Sequence, residues 1–518
     1  MTHAREASPG RAWWPLVPLL PALGLGLWVS GEFALWALAA IGFPYELDYG
    51  EGPILAQMRA EARGERVYAP LAEAPYTVAN YPPLFRWCAR AAAPLTGDYL
   101  SAGRLVSACA TFLSALAVGA LVFAHAWRAR AGDEPGAAEP PGDPTAKLAL
   151  ALVLGAAAGL AALAPTFVFL WGVLLRVDAL ALAFALSGLA VAGCFPRRAV
   201  WALPLLLAGL FTKQSALAAP AAVCLALALR ERRRGVLLAA ALAGSGLLLY
   251  GLGVALTGGA FHENLVTANR NRFEWSRVAQ YAGLLWADQR PILLLGLVSA
   301  LELLRRQARA PEPLRGLALL YYAAAVLVSF AVGKVGSNVN YFLDLLAASA
   351  LAAGLLLAEL LGAWAAARGT RASALAGALA ALLLAGHAYR NEHLELLARL
   401  EDELERRAPE EARLVERLKA AGGPVLSEDL VLLAQAGQPV HFQPFEMTQL
   451  AAQGLWDPAP LLDEVHAGRF AVVLLKFDLA EEAGWRRERF APELLATLRA
   501  RYREAERIGR YVLYRPKG

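Results

Sequence analysis

The amino-acid sequence predicts an all-α polytopic membrane protein that carries a small C-terminal α/β domain. Its 518 residues are 58% hydrophobic and only 18% charged, whereas about 25% of the residues of a soluble protein are charged. The charge is also uneven, because residues 390–518 hold 41 of the 93 charged side chains. We therefore expect a transmembrane body over residues 1–389 and a water-soluble domain over residues 390–518.

Apolar runs that approach the length of a membrane span divide the first part of the chain. A helix needs about 20 apolar residues to cross the hydrocarbon core of a bilayer. The first run is too long for the core of a signal peptide and no small-residue cleavage site follows it, so we expect a retained helix. The sequence predicts about eleven spans, at residues 13–43, 101–127, 147–165, 179–195, 199–214, 215–230, 235–257, 291–304, 316–332, 343–364 and 372–389.

Basic residues in the loops predict how these spans are oriented. Arginine and lysine are enriched in cytoplasmic loops, and in this chain they fall in alternate loops. The pattern predicts a cytoplasmic N-terminus and an extracytoplasmic C-terminal domain. It also explains the net charge of +5 without a nucleic-acid partner. The basic segments are RAR (128–130), PRR (196–198), RERRR (230–234), RRQAR (305–309) and RGTR (368–371).

The end of the chain combines helical and strand patterns. The charged stretch 392–420 predicts a helix. The segments GGPVLSED, RFAVVLLK and RIGRYVLYRP predict strands, with helical stretches between them. This alternation predicts a small α/β domain.

The first outer loop, predicted over residues 44–100, is long, and long loops in compact proteins are usually functional. It begins with PYELDYGEGPILAQ, which places Asp48 and Glu51 three residues apart at the start of a helical pattern. One interpretation is a capping box that stabilises the helix. The other is an acid that accepts a proton from a substrate. The apolar side of residues 51–63 predicts a helix that lies in the membrane interface.

Polar and charged side chains gather at the outer ends of the other predicted spans. Ionisable groups at membrane depth are costly and therefore indicate function. Arg176 and Asp178 are also compatible with a structural pair, Lys213 with a side chain that snorkels from a helix end, and the NRNR segment (269–272) with a solvated loop. An acid in one loop and cations in several others suit a reaction in which a carboxylate accepts a hydroxyl proton and cations stabilise a phosphate leaving group.

Together these motifs resemble the GT-C glycosyltransferases, and most closely bacterial members similar to the protein mannosyltransferase and lipid A aminoarabinose transferase families. The resemblance covers about residues 13–390. It rests on the acidic motif of the first outer loop, YPPL (81–84), the R-x-D pattern at 176–178, TKQS (212–215) and NYF (340–342).

This resemblance implies a GT-C-like fold and a multi-pass protein of the bacterial inner membrane. It implies the inverting transfer of a sugar from a polyprenyl-phosphate donor to a glycan, lipid or protein acceptor on the extracytoplasmic face. No nucleotide-sugar site is expected.

The resemblance also implies roles for individual residues. The family has an adjacent Asp-Glu pair in the first loop, and here either Asp48 or Glu51 fits the catalytic base. The aminoarabinose transferase branch has a lysine before the proline pair, where this chain has Tyr81. Donor-phosphate contacts are therefore assigned to Lys213, Lys334, Arg270 and Arg272. Substrate contacts are assigned to Tyr81, Arg176, Asp178, Gln214, Asn338, Asn340 and Tyr341.

The sequence shows no spacing typical of metal ligands, and its four cysteines are scattered. We therefore predict no metal site. The alternative is a divalent ion held by Asp48 and Glu51, because some members of the superfamily that the chain resembles use a metal.

Two other classes of function compete with the enzyme. A transporter or flippase would place polar residues near the middle of the membrane and often shows repeated halves; this sequence shows no internal repeat. A non-catalytic protein of envelope-glycan assembly would handle glycans without using this donor. An outward cavity lined by Asp48 or Glu51, with cations nearby, favours the transferase, whereas a path through the membrane favours the transporter.

Overall fold

Helices make up most of the chain, and the described residues contain one small β-sheet near the C-terminus. The computed structural model describes residues 16–128, 144–365, 371–481 and 486–517. Within the first 390 residues the α-helices are α1 (Leu20–Gly42), α2 (Glu51–Ala62), α3 (Leu84–Thr96), α4 (Tyr99–Arg128), α5 (Pro144–Leu163), α6 (Thr166–Trp171), α7 (Val177–Cys194), α8 (Leu203–Thr212), α9 (Ala218–Arg230), α10 (Arg232–Leu256), α11 (Ala260–Leu265), α12 (Trp275–Arg309), α13 (Pro313–Ser329), α14 (Leu343–Ala365) and α15 (Arg371–Arg390).

Eight helical segments in the described part of the chain are long and apolar enough to cross a membrane. They lie on eight of the eleven predicted runs, so the polytopic all-α body is confirmed. The segments are Leu16–Gly42, Tyr99–Arg128, Pro144–Leu163, Val177–Cys194, Arg232–Leu256, Trp275–Arg309, Pro313–Gly333 and Val339–Ala363.

The other three predicted runs do not confirm the count of eleven. The run 199–214 forms α8, which has only 10 residues and ends before Lys213, whose backbone is extended. At 1.5 Å per residue, α8 covers about 15 Å, or half of the hydrocarbon core. The run 215–230 forms α9, with 13 residues, and the run 372–389 forms α15, with 20 residues.

Close contact between α4 and α5 depends on glycine. A Cβ added at Gly119 would lie 2.8 Å from the carbonyl oxygen of Gly155, and one at Gly159 would lie 2.8 Å from that of Ala115. These small residues are four apart on each helix, a spacing that lets two backbones approach in a membrane. Residues on both helices belong to the main apolar core, which also includes α7, α13 and α14.

The C-terminal region forms the predicted α/β domain. Its helices are α16 (Leu394–Lys419), α17 (Leu430–Gln435), α18 (Pro444–Ala452), α19 (Ala459–His466), α20 (Arg486–Arg489) and α21 (Pro492–Arg501), and its strands are β1 (Val425–Ser427), β2 (Val472–Leu475), β3 (Tyr502–Ile508) and β4 (Tyr511–Pro516).

The sheet of this domain has the strand order β1-β2-β4-β3. β1 and β2 are parallel, with Val425 opposite Val472. β4 is antiparallel to both of its neighbours. Because the segment RIGRYVLYRP turns back on itself at Gly509, it contributes to two strands rather than to the single strand that its apolar pattern suggests.

The C-terminal domain packs on the first loop. The Tyr76 N–H donates to the His441 carbonyl at 2.8 Å, and the Gln443 N–H donates to the Tyr76 carbonyl at 2.9 Å. Helix α2 packs against α17, where a Cβ added at Gly52 would lie 2.9 Å from the Cβ of Leu430. The apolar side of α2 is therefore covered by protein, and the prediction of a helix in the membrane interface is wrong.

The α4–α5 contact gives a prediction about stability. Gly155→Ala should lower the thermal unfolding temperature of the detergent-solubilised protein, because the new methyl group would lie 2.8 Å from the Gly119 carbonyl oxygen and overpacking costs about 1–3 kcal/mol. Gly244→Ala in α10 is the matched control, because nothing lies within 4 Å of its added Cβ, and alanine favours the helix by about 1 kcal/mol. Equal unfolding temperatures for the two variants would show that the helices do not approach this closely.

Candidate functional site

A cavity of about 690 Å³ lies where the first loop, the helical bundle and the C-terminal domain meet. Its volume is in the range typical of ligand pockets, about 300–1,000 Å³. Eight of the residues singled out from the sequence line it: Asp48, Tyr81, Arg176, Gln214, Lys334, Asn338, Asn340 and Tyr341. Five others do not line it: Glu51, Asp178, Lys213, Arg270 and Arg272.

Asp48 presents one side of its carboxylate to hydrogen bonds with protein. Its Oδ1 accepts from the Gly50 N–H at 2.9 Å and from Nη1 of Arg176 at 3.0 Å. In the described residues no side chain or backbone group donates to the other carboxylate oxygen, Oδ2. Asp48 does not cap α2, because that helix begins at Glu51 and its N-cap residue is Gly50. One half of the capping box suggested by the sequence is present, because Oε2 of Glu51 accepts from the Asp48 N–H at 3.4 Å. The other half is not, because the Asp48 carboxylate accepts from the Gly50 N–H instead of that of Glu51.

Gly50 makes room for the contact between Arg176 and Asp48. A Cβ added at Gly50 would lie 1.3 Å from Nη1 of Arg176. Arg176 is the residue that precedes α7. Because Gly50 has no side chain, this distant arginine can reach the first loop.

Glu51 is fully buried and forms an ion pair outside the cavity. Its Oε1 accepts from Nε of Arg104 at 2.8 Å, and its Oε2 accepts from Nη2 at 2.7 Å. It also accepts from the N–H groups of Leu175 and Leu47 at 2.9 and 2.8 Å. Burial alone would raise the pKa of Glu51, but Arg104 and these N–H groups outweigh it and hold that pKa below its ordinary value.

Asp178 binds two other predicted site residues, Lys213 and Asn340, beside the cavity. Its Oδ1 accepts from Nζ of Lys213 at 2.6 Å and from Nδ2 of Asn340 at 2.7 Å. Its Oδ2 accepts from Nε1 of Trp171 at 3.1 Å. The Lys213 ammonium also lies 4.2 Å from the centre of the Tyr341 ring. The charge of Lys213 is thus balanced by a buried carboxylate.

Lys334 differs from the other predicted cations. Its Nζ donates to Oδ1 of Asn269 at 3.3 Å, and among the described residues no carboxylate lies within ion-pair distance of it. Arg270 is exposed. Arg272 is also exposed and pairs with Glu274 at 2.6 Å. The geometry separates Lys334, which faces the cavity, from the two arginines, which face away from it.

The segment around Tyr81 is held by hydrogen bonds to the neighbouring loops. Nε2 of Gln214 donates to the Asn80 carbonyl at 2.9 Å, and Nδ2 of Asn269 donates to the same oxygen at 3.0 Å. The Tyr68 hydroxyl donates to the Tyr81 carbonyl at 2.8 Å. Burial raises the pKa of Tyr81 to about 12, so its phenol is a neutral group at physiological pH.

The cavity also contains residues that the sequence did not indicate. Tyr49 and Asn80 come from the first loop, and Arg277 and Tyr281 come from the first turns of α12. Asn269 and Asn271, which also line the cavity, belong to the NRNR segment that the sequence did indicate. Phe445, Glu446, Glu488 and Arg489 come from the C-terminal domain. Burial raises the pKa of Glu446 to about 7. The four residues of the C-terminal domain lie in segments without a motif, so only the fold brings them to the site.

In the described part of the chain no group of three or more His, Cys, Asp or Glu side chains is arranged to hold a metal ion. The prediction of no metal site stays a prediction, as does its alternative of a divalent ion held by Asp48 and Glu51. The two acids have different partners, since Arg176 binds the first and Arg104 the second.

The comparison with solved structures shows which fold this chain has. No protein-family model matches the chain, and no curated protein sequence matches it either. The chain is similar to the crystal structure of ArnT from Cupriavidus metallidurans bound to undecaprenyl phosphate, with a TM-score of 0.56 and 15% identity. It is also similar to ArnT from the same organism in the apo state, with a TM-score of 0.54 and 15% identity. Each match covers 94% of this chain and 97% of the other. The likeness shows that this chain shares the ArnT fold over nearly its whole length, in agreement with the predicted fold.

The pair formed by Glu51 and Arg104 gives a second stability prediction. Arg104→Ala should lower the free energy of unfolding by about 3–5 kcal/mol, because it leaves a buried carboxylate without its counter-charge. Arg272→Ala is the matched control, because its exposed pair with Glu274 contributes at most about 1 kcal/mol. Chemical or thermal unfolding in detergent measures both, and similar losses in the two variants would contradict the structural role of the buried pair.

The same pair sets the direction of a pH effect. Since the folded state holds the pKa of Glu51 below its ordinary value, the stabilising contribution of the ionised group is present above the unfolded-state pKa of about 4.3. It is lost as pH falls through the folded-state pKa. The unfolding temperature of Glu51→Gln should therefore decrease less than that of the wild type between pH 5 and pH 3.

Proposed function

We propose that the protein is a membrane glycosyltransferase that moves a sugar from a polyprenyl-phosphate donor to an acceptor hydroxyl. The observation that carries the proposal is the cavity in which the carboxylate of Asp48, the guanidinium of Arg176 and the ammonium of Lys334 lie together. The likeness to ArnT, whose crystal structure contains undecaprenyl phosphate, supports it. The proposed setting is a bacterial inner membrane, with the C-terminal domain on the outer face.

Asp48 is the proposed general base. Its Oδ1 is occupied by Arg176 and by the Gly50 N–H, which orients the carboxylate and leaves Oδ2 to accept a proton. The acceptor oxygen bonds to the anomeric carbon while the bond from that carbon to the phosphate oxygen breaks. The bonding electrons go to the phosphate, and the acceptor proton goes to Asp48. Attack opposite the leaving group inverts the anomeric carbon.

Lys334 is the proposed partner of the donor phosphate. A fixed cation stabilises the charge that develops on the departing phosphate, and Lys334 has no carboxylate neighbour among the described residues to neutralise it. Lys213 serves this purpose less well because Asp178 already binds it at 2.6 Å. In this proposal Lys213 and Asp178 position Asn340 and Tyr341, which line the cavity, while Tyr81, Gln214 and Asn338 contribute to its polar wall.

The general base gives a test of activity. Asp48→Asn should reduce kcat by about 10²–10⁴-fold, because the amide keeps the size of the side chain but does not accept the proton. Release of polyprenyl phosphate from a panel of defined polyprenyl-phosphate sugars, in the presence of candidate acceptors, is the measurement.

Glu51→Gln provides the comparison within the same motif. Assayed at a temperature where it is folded, it should retain much more of the wild-type kcat than Asp48→Asn does. Wild-type turnover by Asp48→Asn would rule out the proposed base, and loss confined to Glu51→Gln would transfer that role to Glu51.

The phosphate partner gives a separate test. Lys334→Ala should raise the KM for the donor at least 10-fold, because the variant loses a charge that faces the cavity. Arg272→Ala should leave the KM within 2-fold of the wild type, because its side chain is 80% exposed and paired with Glu274. If Arg272→Ala had the larger effect, the phosphate site would lie on the outer surface instead of in the cavity.

A further inference from the structure

We propose that the C-terminal domain forms part of a sugar-binding subsite in the cavity, in which Tyr49, Phe445 and Glu446 hold the glycosyl ring of the donor. This inference rests on the proposed function. It goes further by assigning to the C-terminal domain a role in recognising the sugar.

Phe445 lies between two loops that line the cavity. Its N–H donates to the Tyr49 hydroxyl at 3.1 Å, which joins the start of α18 to the first loop one residue after Asp48. Its ring lies against Gly336, where an added Cβ would be 2.7 Å from the ring Cζ. Phe445 thus bridges the loop that carries the proposed base and the loop that carries Lys334, and it covers the space between them.

The residues around Phe445 are fixed in place by contacts within the C-terminal domain and with the helical bundle. The Arg489 guanidinium lies 4.5 Å from the centre of the Tyr49 ring and pairs with Glu428 at 3.0 Å. Nη2 of Arg277 pairs with Glu488 at 2.6 Å, which ties α12 to the C-terminal domain. The Thr448 hydroxyl donates to the Arg489 carbonyl at 2.9 Å and holds α18 against this segment. Such bracing pre-organises a binding wall before a ligand arrives.

Glu446 has a carboxyl group without a counter-charge. The residue lines the cavity, and in the described residues no cation lies within ion-pair distance of its carboxyl group. Its buried Oε2 has no hydrogen-bond partner there. Burial raises the pKa of Glu446 to about 7, so near neutral pH the group is present both as an acid, which donates and accepts, and as a carboxylate, which accepts. Sugar hydroxyl groups match both forms.

The proposed reaction requires a fixed order of groups in the cavity. The anomeric carbon must lie between the phosphate at Lys334 and the acceptor oxygen at Asp48. The sugar ring that carries this carbon then occupies the adjoining space, whose cover is Tyr49, Phe445 and Glu446. Two aromatic rings offer apolar faces for the C–H groups of the ring, and the carboxyl group offers a polar partner for its hydroxyl groups, a mixture typical of specific ligand pockets.

A binding experiment separates the sugar from the lipid phosphate. Undecaprenyl phosphate and a panel of undecaprenyl-phosphate sugars are titrated against the full-length protein in detergent. For the sugar that the wild type binds best, Glu446→Gln and Phe445→Ala should weaken binding at least 10-fold. Binding of undecaprenyl phosphate itself should stay within 2-fold of the wild type. Retained binding of undecaprenyl phosphate also shows that each variant is folded.

The controls distinguish the two proposals. Lys334→Ala should weaken binding of both ligands, and Glu493→Gln, at an exposed glutamate of α21, should change neither. If Glu446→Gln leaves the sugar-linked donor as tightly bound as in the wild type, or weakens both ligands equally, the sugar subsite is overturned. If the wild type binds none of these lipids, the proposed function itself fails.

Discussion

The buried ion pair between Glu51 and Arg104 is the interaction on which the site depends. Arg104 uses all five of its N–H donors: three reach the carbonyls of Ala40, Phe43 and Tyr45, and two reach Glu51. Glu51 in turn binds the N–H of Leu175. One guanidinium therefore joins the end of α1, the start of the first loop and the start of α2, and Glu51 extends this contact to the segment before α7. Because both charges are fully buried, neither can leave the pair without a large cost in free energy, and the backbone on either side of Asp48 is fixed.

Glu51 therefore has a structural role, whereas Asp48 is the proposed base. The sequence alone did not distinguish these two roles. An aspartate and a glutamate three residues apart at a helix start fit a capping box, a catalytic pair or both, and the pattern is the same in each case. What distinguishes them is the partner of each acid. Arg104 lies 53 residues from Glu51 and Arg176 lies 128 residues from Asp48, and no local pattern indicates either contact. The requirement for glycine at position 50 was also not predictable from the local sequence, because it arises from the contact with Arg176.

Features that depend on the local sequence were predicted better than features that depend on contacts between distant residues. Eight of the eleven predicted apolar runs form helices long enough to span a membrane, because hydrophobic length is a local property. The sequence also predicted a break near Lys213, between the runs 199–214 and 215–230, but it did not predict that Asp178 of another helix binds this lysine. The predicted cavity residues came from motifs at helix ends. The residues of the C-terminal domain that complete the cavity, Phe445 and Glu446 among them, have no motif, because their position depends on how that domain docks against the first loop.

The charged residues that line the cavity do not all have partners of opposite charge. Its lining carries four cations, Arg176, Arg277, Lys334 and Arg489, and three acids, Asp48, Glu446 and Glu488. Each arginine has a carboxylate partner: Asp48, Glu488 and Glu428 respectively. Within the described residues, this leaves one cation and one acid without an opposite charge at ion-pair distance, namely Lys334 and Glu446. An unbalanced ammonium suits an anion, and a carboxyl group that burial keeps partly protonated suits neutral hydroxyl groups. A ligand with a phosphate at one end and a sugar beside it satisfies both groups at once, whereas a simple lipid phosphate would satisfy only the first.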